Sequence, residues 1–168
     1  MGIKEHREKA VKSACIGILT LSSTRTLAED ESGNWIADQA QKQGHTVILH
    51  RVISDHAETI RQTVLDTIQE HHPDVLLLNG GTGVSPKDLT IEAVKPLFQK
   101  ELTAFGHVFA MLSYGEIGSG AILSRATAGI IRKTAVFCMP GSLNACRLAC
   151  EKLIFPELGH LVRHMHRG

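Results

Sequence analysis

Apolar residues fall along this chain in two rhythms. Short unbroken runs occur at 13–21, 46–52, 75–78, 127–131 and 134–139. Such runs suit strands buried on both faces and are too short for core helices. Elsewhere apolar positions recur at the helical period, over 34–43, 57–71, 102–114, 143–152 and 155–167, with a shorter stretch around Ile91, Ala93 and Val94. Residues suited to helix ends stand where the pattern changes. Gly44 follows the first helix, Ser54 or Asp55 precedes the second, Thr90 precedes the short one and Ser142 precedes that at 143–152. Pro96 breaks the short helix or starts another turn, and Pro156 stands at the start of the last helix. Only Arg132-Lys133 separates the last two strands, which makes them a hairpin. The alternation predicts an α/β domain with a mostly parallel sheet and one antiparallel strand.

Length and composition narrow this picture without changing it. The 168 residues suit one domain, placed at 13–168 behind a charged, flexible N-terminal arm at 1–12. Hydrophobic content of 43%, charged content of 21% and a net charge of +1 describe an ordinary soluble protein and argue against nucleic acid as a partner. The absence of a long apolar run argues against a membrane span, and the charged N-terminus lacks a signal peptide's apolar core. The four cysteines include no C-x-x-C pair and read as buried, reduced thiols, so a cytoplasmic location is expected.

Candidate chemistry concentrates at strand ends. The run at 75–78 leads into Asn79-Gly80-Gly81-Thr82-Gly83-Val84-Ser85-Pro86-Lys87-Asp88. Glycines let backbone N–H groups approach a ligand, and a strand–glycine loop–helix corner is a common way to hold phosphate. The loop is not a Walker A motif, because Ser85 stands at the sixth position from Gly80. Nor is it a dinucleotide fingerprint, because Pro86 stands at the last position from Gly81. A tight turn without a ligand is its other reading. Ser22 to Thr26, which includes Arg25, is either an anion loop or a solvated turn, and Asp55 is either a cap or a functional acid. Pro140-Gly141-Ser142 forms a second strand–glycine–helix corner. In a parallel sheet these segments rise on one rim, where ligands bind. Anion-binding groups beside Asp55 and Asp88 suggest a phosphorylated ligand with Mg²⁺, which takes one or two protein carboxylates. His160 and His164 have a zinc-ligand spacing, but Leu161 stands where H-E-x-x-H needs glutamate, so a polar helix face is expected there.

The combination Asn79-Gly-Gly-Thr-Gly83 with Lys87-Asp88 and Thr90 resembles the signature of the MoaB/MogA molybdopterin-binding family. The likeness continues through Thr24-Arg-Thr26, Asp30 to Gly33, Ser113-Tyr114, Leu123-Ser-Arg-Ala126 and Met139-Pro-Gly-Ser142, and it lies nearest the MoaB branch. The resemblance implies a three-layer α/β/α sandwich of the molybdopterin-binding type, self-associated as a trimer or a hexamer of trimers. It implies molybdopterin and ATP as substrates with Mg²⁺, and adenylyl transfer with release of pyrophosphate; the alternative is a non-catalytic molybdopterin carrier or scaffold. By the same resemblance, Asp55 and Asp88 are the catalytic, metal-holding acids. Thr24, Arg25, Gly80, Gly81, Thr82, Gly83, Ser113, Ser124, Arg125, Pro140, Gly141 and Ser142 contact substrate. Two positions depart from related sequences: Ser22-Ser23, where Ser-Asp is common, and Leu143, where the adenylyltransferases often carry proline.

Overall fold

A computed structural model describes residues 12–167. The strands are β1 (Cys15–Leu21), β2 (Thr46–Ile53), β3 (Val75–Asn79), β4 (Lys100–Glu101), β5 (Thr127–Ile131) and β6 (Thr134–Met139). They form one sheet in the order β2-β1-β3-β6-β5-β4. β2, β1, β3 and β6 are parallel, and β5 runs against both β6 and β4. The helices are α1 (Glu31–Lys42), α2 (Ala57–His71), α3 (Thr90–Val94), α4 (Thr103–Ile117), α5 (Leu143–Ala149) and α6 (Phe155–Met165).

The strands are apolar on both faces because helices cover both. On one side Ile16, Ile18, Val75, Leu77, Phe137 and Met139 pack against α1, α4, α5 and α6. On the other, Leu19, Leu76, Leu78, Val136 and Cys138 pack against α2 and α3. Every residue of β3 is buried, which is why its sequence reads as a continuous apolar run. The result is the expected three-layer sandwich with one antiparallel strand. All four cysteines are free. Among the described residues no helix is long and apolar enough to cross a membrane.

Several local expectations are corrected. α1 begins at Glu31, three residues before the apolar rhythm starts, because Asp30 caps it by accepting from Gly33 N at 3.0 Å. Neither Ser54 nor Asp55 caps α2. His56 holds that position without a side-chain cap bond, and its Nδ1 lies 2.6 Å from Ser54 Oγ. Thr90 is the first residue of α3, not its cap, and its hydroxyl donates to Gly80 O at 2.8 Å. α4 continues past Tyr114 to Ile117 and ends where Gly118 takes φ 61. β4 was not foreseen. It is two residues long and owes its existence to pairing with Ile130 and Gly129, which no local pattern reveals. The last two helices are one continuous rod, joined by a π turn over Cys150–Ile154. Pro156 sits in the first turn of α6, and the wider turn upstream accommodates its missing N–H. The expected arm at 1–12 lies outside the described residues except for Lys12.

Candidate functional site at the strand ends

The parallel strands β1, β2, β3 and β6 end on one rim, and their loops are packed there at backbone distance. Gly80 and Gly81 take φ values of 103 and 66, which favour glycine. A Cβ on Gly80 would lie 2.6 Å from Leu21 O, and one on Gly141 would lie 3.0 Å from the Gly80 Cα. The loops after β1, β3 and β6 therefore touch only because these residues lack side chains.

Arg125 fixes the outer half of the glycine loop. Its Nε donates to Thr82 O and Gly83 O, both at 3.0 Å. Its Nη1 and Nη2 reach the Glu92 carboxylate of α3 at 2.5 and 3.2 Å. These hydrogen bonds hold the Glu92 carboxyl below its ordinary range. At the end of β3 and in the loop that follows it, Asn79 Oδ1 and Thr82 Oγ1 are buried with no hydrogen-bond partner. Buried polar atoms are nearly always satisfied, so the loop carries unmet bonding capacity.

Asp55 follows β2 and Asp88 follows the glycine loop, yet both line one cavity of about 520 Å³, together with Ser23, Thr24, Gly81 and Lys87. Asp88 Oδ2 accepts from Ser85 N at 2.9 Å, and Asp55 Oδ1 accepts from the Ser23 hydroxyl. An open groove of about 700 Å³ adjoins it, sharing Ser22, Ser23, Thr24 and His56 and adding Arg25, His50 and Arg51. Among the described residues no group of three or more His, Cys, Asp and Glu side chains gathers as a metal centre. Two carboxylates and hydroxyls lining one cavity are a donor set of the chemical kind that Mg²⁺ takes, with phosphate and water oxygens completing its shell.

Behind this rim lies a polar network that the sequence pattern did not disclose. Asp30 has no exposed surface. It accepts from Thr20 Oγ1 at 2.6 Å and lies 2.7 Å from His50 Nε2. Asn79 Nδ2 in turn donates to Thr20 Oγ1 at 2.8 Å. Burial pushes the Asp30 carboxyl up, but hydrogen bonds from His50, Thr20 and the Gly33 amide outweigh it and hold the group below its ordinary value. The chain of contacts links β2, β1, the cap of α1 and the last residue of β3, immediately before the glycine loop.

The predicted residues thus separate into groups. Thr24, Asp55, Gly81 and Asp88 share the acid-bearing cavity, while Thr24 and Arg25 line the adjoining groove. Gly80, Thr82 and Gly83 build the loop itself, and Arg125 braces it. Gly141 O accepts from Ser32 Oγ at 2.8 Å, Pro140 O accepts from Cys146 Sγ at 3.3 Å, and Ser142 caps α5 by accepting from Ala145 N. Ser113, buried in α4, and Ser124, after the turn that follows α4, line neither cavity. Asp30, His50, Asn79 and Ser23 were missed as site residues. Their partners lie ten to fifty-nine positions away: Ser23 and Asn79 stood inside the strand-end stretches singled out above and Asp30 in a capping cluster, but nothing local marked their contacts or His50.

Fold and site together define a class: an α/β domain whose parallel strands end in a glycine-looped, hydroxyl-rich rim bearing two carboxylates. Comparison with known proteins makes it specific. A family model described as "Probable molybdopterin binding domain" matches residues 17–160. Molybdenum cofactor biosynthesis protein B of Bacillus subtilis is 45% identical over 168 residues, covering 99% of both chains. Molybdopterin adenylyltransferase of Pyrococcus furiosus is 38% identical over 170 residues, covering 98% of both. A crystal structure of a molybdenum cofactor biosynthesis protein B superposes with a TM-score of 0.91 at 46% identity, over 95% of this chain and 100% of that one. The chain belongs to the molybdopterin-binding family.

Proposed function

We propose that this protein acts in molybdenum cofactor biosynthesis, binding molybdopterin at the strand-end rim and joining it to AMP from Mg-ATP with release of pyrophosphate. The observation that carries this reading is that Asp55 and Asp88, from separate loops, face one cavity beside the glycine loop. The 38% identical relative named as a molybdopterin adenylyltransferase supports the same reaction.

In this reading the terminal phosphate oxygen of molybdopterin attacks the α-phosphorus of ATP. A new P–O bond forms as the bond to the bridging oxygen breaks, and pyrophosphate leaves with that electron pair. A phosphate monoester loses its second proton near pH ~6, so the nucleophile needs no general base. Catalysis then rests on positioning two anions and stabilising charge on the leaving group. Asp55 and Asp88 would hold magnesium, which when bound supplies charge neutralisation at the phosphate oxygens. Thr24, the loop amides at 80–83 and the Pro140–Ser142 corner orient the substrates, and Ser113 and Ser124 belong to the same proposed binding set. Arg125 acts on substrate through the loop it braces. Self-association as a trimer or hexamer is part of this reading.

The deciding experiment incubates the protein with ATP, Mg²⁺ and molybdopterin and detects pyrophosphate. Asp88→Asn is expected to lower turnover at least about a hundredfold while pterin binding persists. Pterin binding by the wild type without any pyrophosphate would leave a carrier or scaffold as the function.

A further inference from the structure

Glu157, His160 and His164 stand three and four positions apart on α6 and so share one face of it. They are the only polar side chains lining a groove of about 390 Å³ between α4 and α6, whose other walls include Leu102, Phe105, Val108, Phe137 and Leu161. The two imidazoles meet edge to face with 4.6 Å between centroids, and His160 Nε2 lies 2.9 Å from His164 Nε2. Glu157 Oε2 lies 3.3 Å from His160 Nδ1. An ionised carboxylate only accepts, so that nitrogen carries a proton, and in the neutral ring Nε2 keeps its lone pair toward His164. A histidine whose second nitrogen is tied to a carboxylate is the usual arrangement of a metal ligand. Leu161, standing where H-E-x-x-H has glutamate, removes the base of a hydrolytic zinc site but neither nitrogen donor. The pair is also remote from the glycine loop. Two residues beyond His164, His166 Nε2 lies 3.0 Å from Asp74 Oδ1, immediately before β3 and so at the opposite end of that strand.

We propose that His160 and His164 form a chelate for a divalent transition metal that favours nitrogen donors at a right angle, nickel or copper in class. With metal–nitrogen bonds of about 2.0–2.1 Å, the 2.9 Å between the two Nε2 atoms sets an N–metal–N angle of about 90°. That is the angle of square-planar and octahedral complexes, whereas tetrahedral zinc needs the nitrogens roughly 3.3 Å apart. On binding, His164 moves its proton from Nε2 to Nδ1 through solvent, so both Nε2 lone pairs reach the metal and no net proton is released. The two histidines fill two positions and water fills the others. Glu157 acts through His160 and is not itself a ligand, in keeping with the absence of any three-ligand group among the described residues. The bound ion joins successive turns of α6 and stabilises the folded chain by mass action. The site is independent of the adenylyl-transfer reading and of its magnesium.

The test is calorimetric titration of the full chain with Ni²⁺, and separately with Zn²⁺. The tightest phase is expected to take one Ni²⁺ per chain, and His164→Gln to weaken it at least about tenfold. His160→Gln is expected to do the same. Glu157→Gln should weaken it by about tenfold with the stoichiometry kept, because only the orientation of His160 is lost. His72→Gln, in a separate cavity with Arg132 and His166, is expected to change nothing. Ni²⁺ should also raise the thermal unfolding midpoint of wild type and not that of His164→Gln. That shift is read within each protein, so a change in the variant's own stability does not obscure it. No binding by the wild type at about 1 mM Ni²⁺ overturns the chelate. Equal binding by His164→Gln, or tighter binding of Zn²⁺ than of Ni²⁺ by the wild type, overturns it as well.

Discussion

His50 Nε2 lies 2.7 Å from Oδ2 of Asp30, a carboxylate with no exposed surface. The same oxygen accepts from Thr20, and the other oxygen caps α1. Asp30→Ala would leave a hydroxyl, a helix-end amide and an imidazole without their acceptor. Breaking a buried pair from one side typically costs about 3–5 kcal/mol, and a loss of that order is expected in urea unfolding at pH 7. A loss within the range of surface substitutions would show that the network relaxes around the gap.

The same carboxylate predicts a pH dependence. Asp30 is held below its ordinary value of 3.8, so near that pH the unfolded chain binds its proton more readily than the native one. The stability it contributes is fully present above the unfolded value and is lost as pH falls through the lower native value. The difference in unfolding free energy between wild type and Asp30→Asn should therefore be constant near neutrality and shrink below about pH 4. A difference that stays flat to pH 2.5 would mean that Asp30 is not held ionised by its partners.

Arg125 predicts an effect on the loop. One guanidinium serves the carbonyls of Thr82 and Gly83 and both oxygens of Glu92. A lysine keeps the charge but cannot span these acceptors, so Arg125→Lys is not conservative here. Faster amide hydrogen exchange over residues 82–88 is expected, with little change in β1 or β3. If the reaction proposed above occurs, substrate KM should rise more than kcat falls. Unchanged exchange in the loop would return Arg125 to the role of a direct anion ligand.

These residues also show what could be read from the chain and what could not. The β5–β6 hairpin matched its expected bounds, because two apolar runs around Arg132-Lys133 encode it locally, and Arg132 supplies the turn with φ 55. The rim loops were legible because glycines and a following acid sit within one short stretch. β4 was not, since its two residues form a strand only against β5. Asp55 looked like a helix cap because short acceptors before helices usually are; in the fold its carboxylate instead takes the Ser23 hydroxyl from the next loop. The role of Asp30 was hidden because Thr20 and His50 meet it, and Asn79 joins them through Thr20, only once three strands have aligned. Sequence patterns reported which groups lie at strand ends. Which of them touch is decided by register.

The turn after α4 predicts self-association. Ile122 is 80% exposed, and Met111, Tyr114, Ile117 and Leu123 on the same stretch are also exposed. A run of large apolar side chains at the surface marks an interaction site more often than a solvated one. Wild type is expected to elute as a trimer or larger in size-exclusion chromatography with light scattering. Ile122→Lys should shift it toward monomer without lowering the unfolding midpoint of the monomer. An unchanged mass for Ile122→Lys would exclude this face as the contact.

Thiol reactivity tests the packing of the last helical rod. Burial pushes the Cys146 thiol up to about 12 and raises Cys138 and Cys150 well above the ordinary range. Cys146 also donates to Pro140 O at 3.3 Å, which further ties its proton. Only the thiolate attacks a disulfide reagent, so these three should be silent in the native protein at pH 8. Cys15, half-buried at the start of β1, is the thiol expected to react first. Labelling with a chromogenic disulfide should give at most one fast equivalent natively and four in guanidinium. Cys150 stands in the π turn, where the backbone departs from regular α-helical bonding. If Cys150 were modified as fast as Cys15, that turn would have to open while the rest of the sandwich stays closed, and the α5–α6 rod would be the least stable part of the fold.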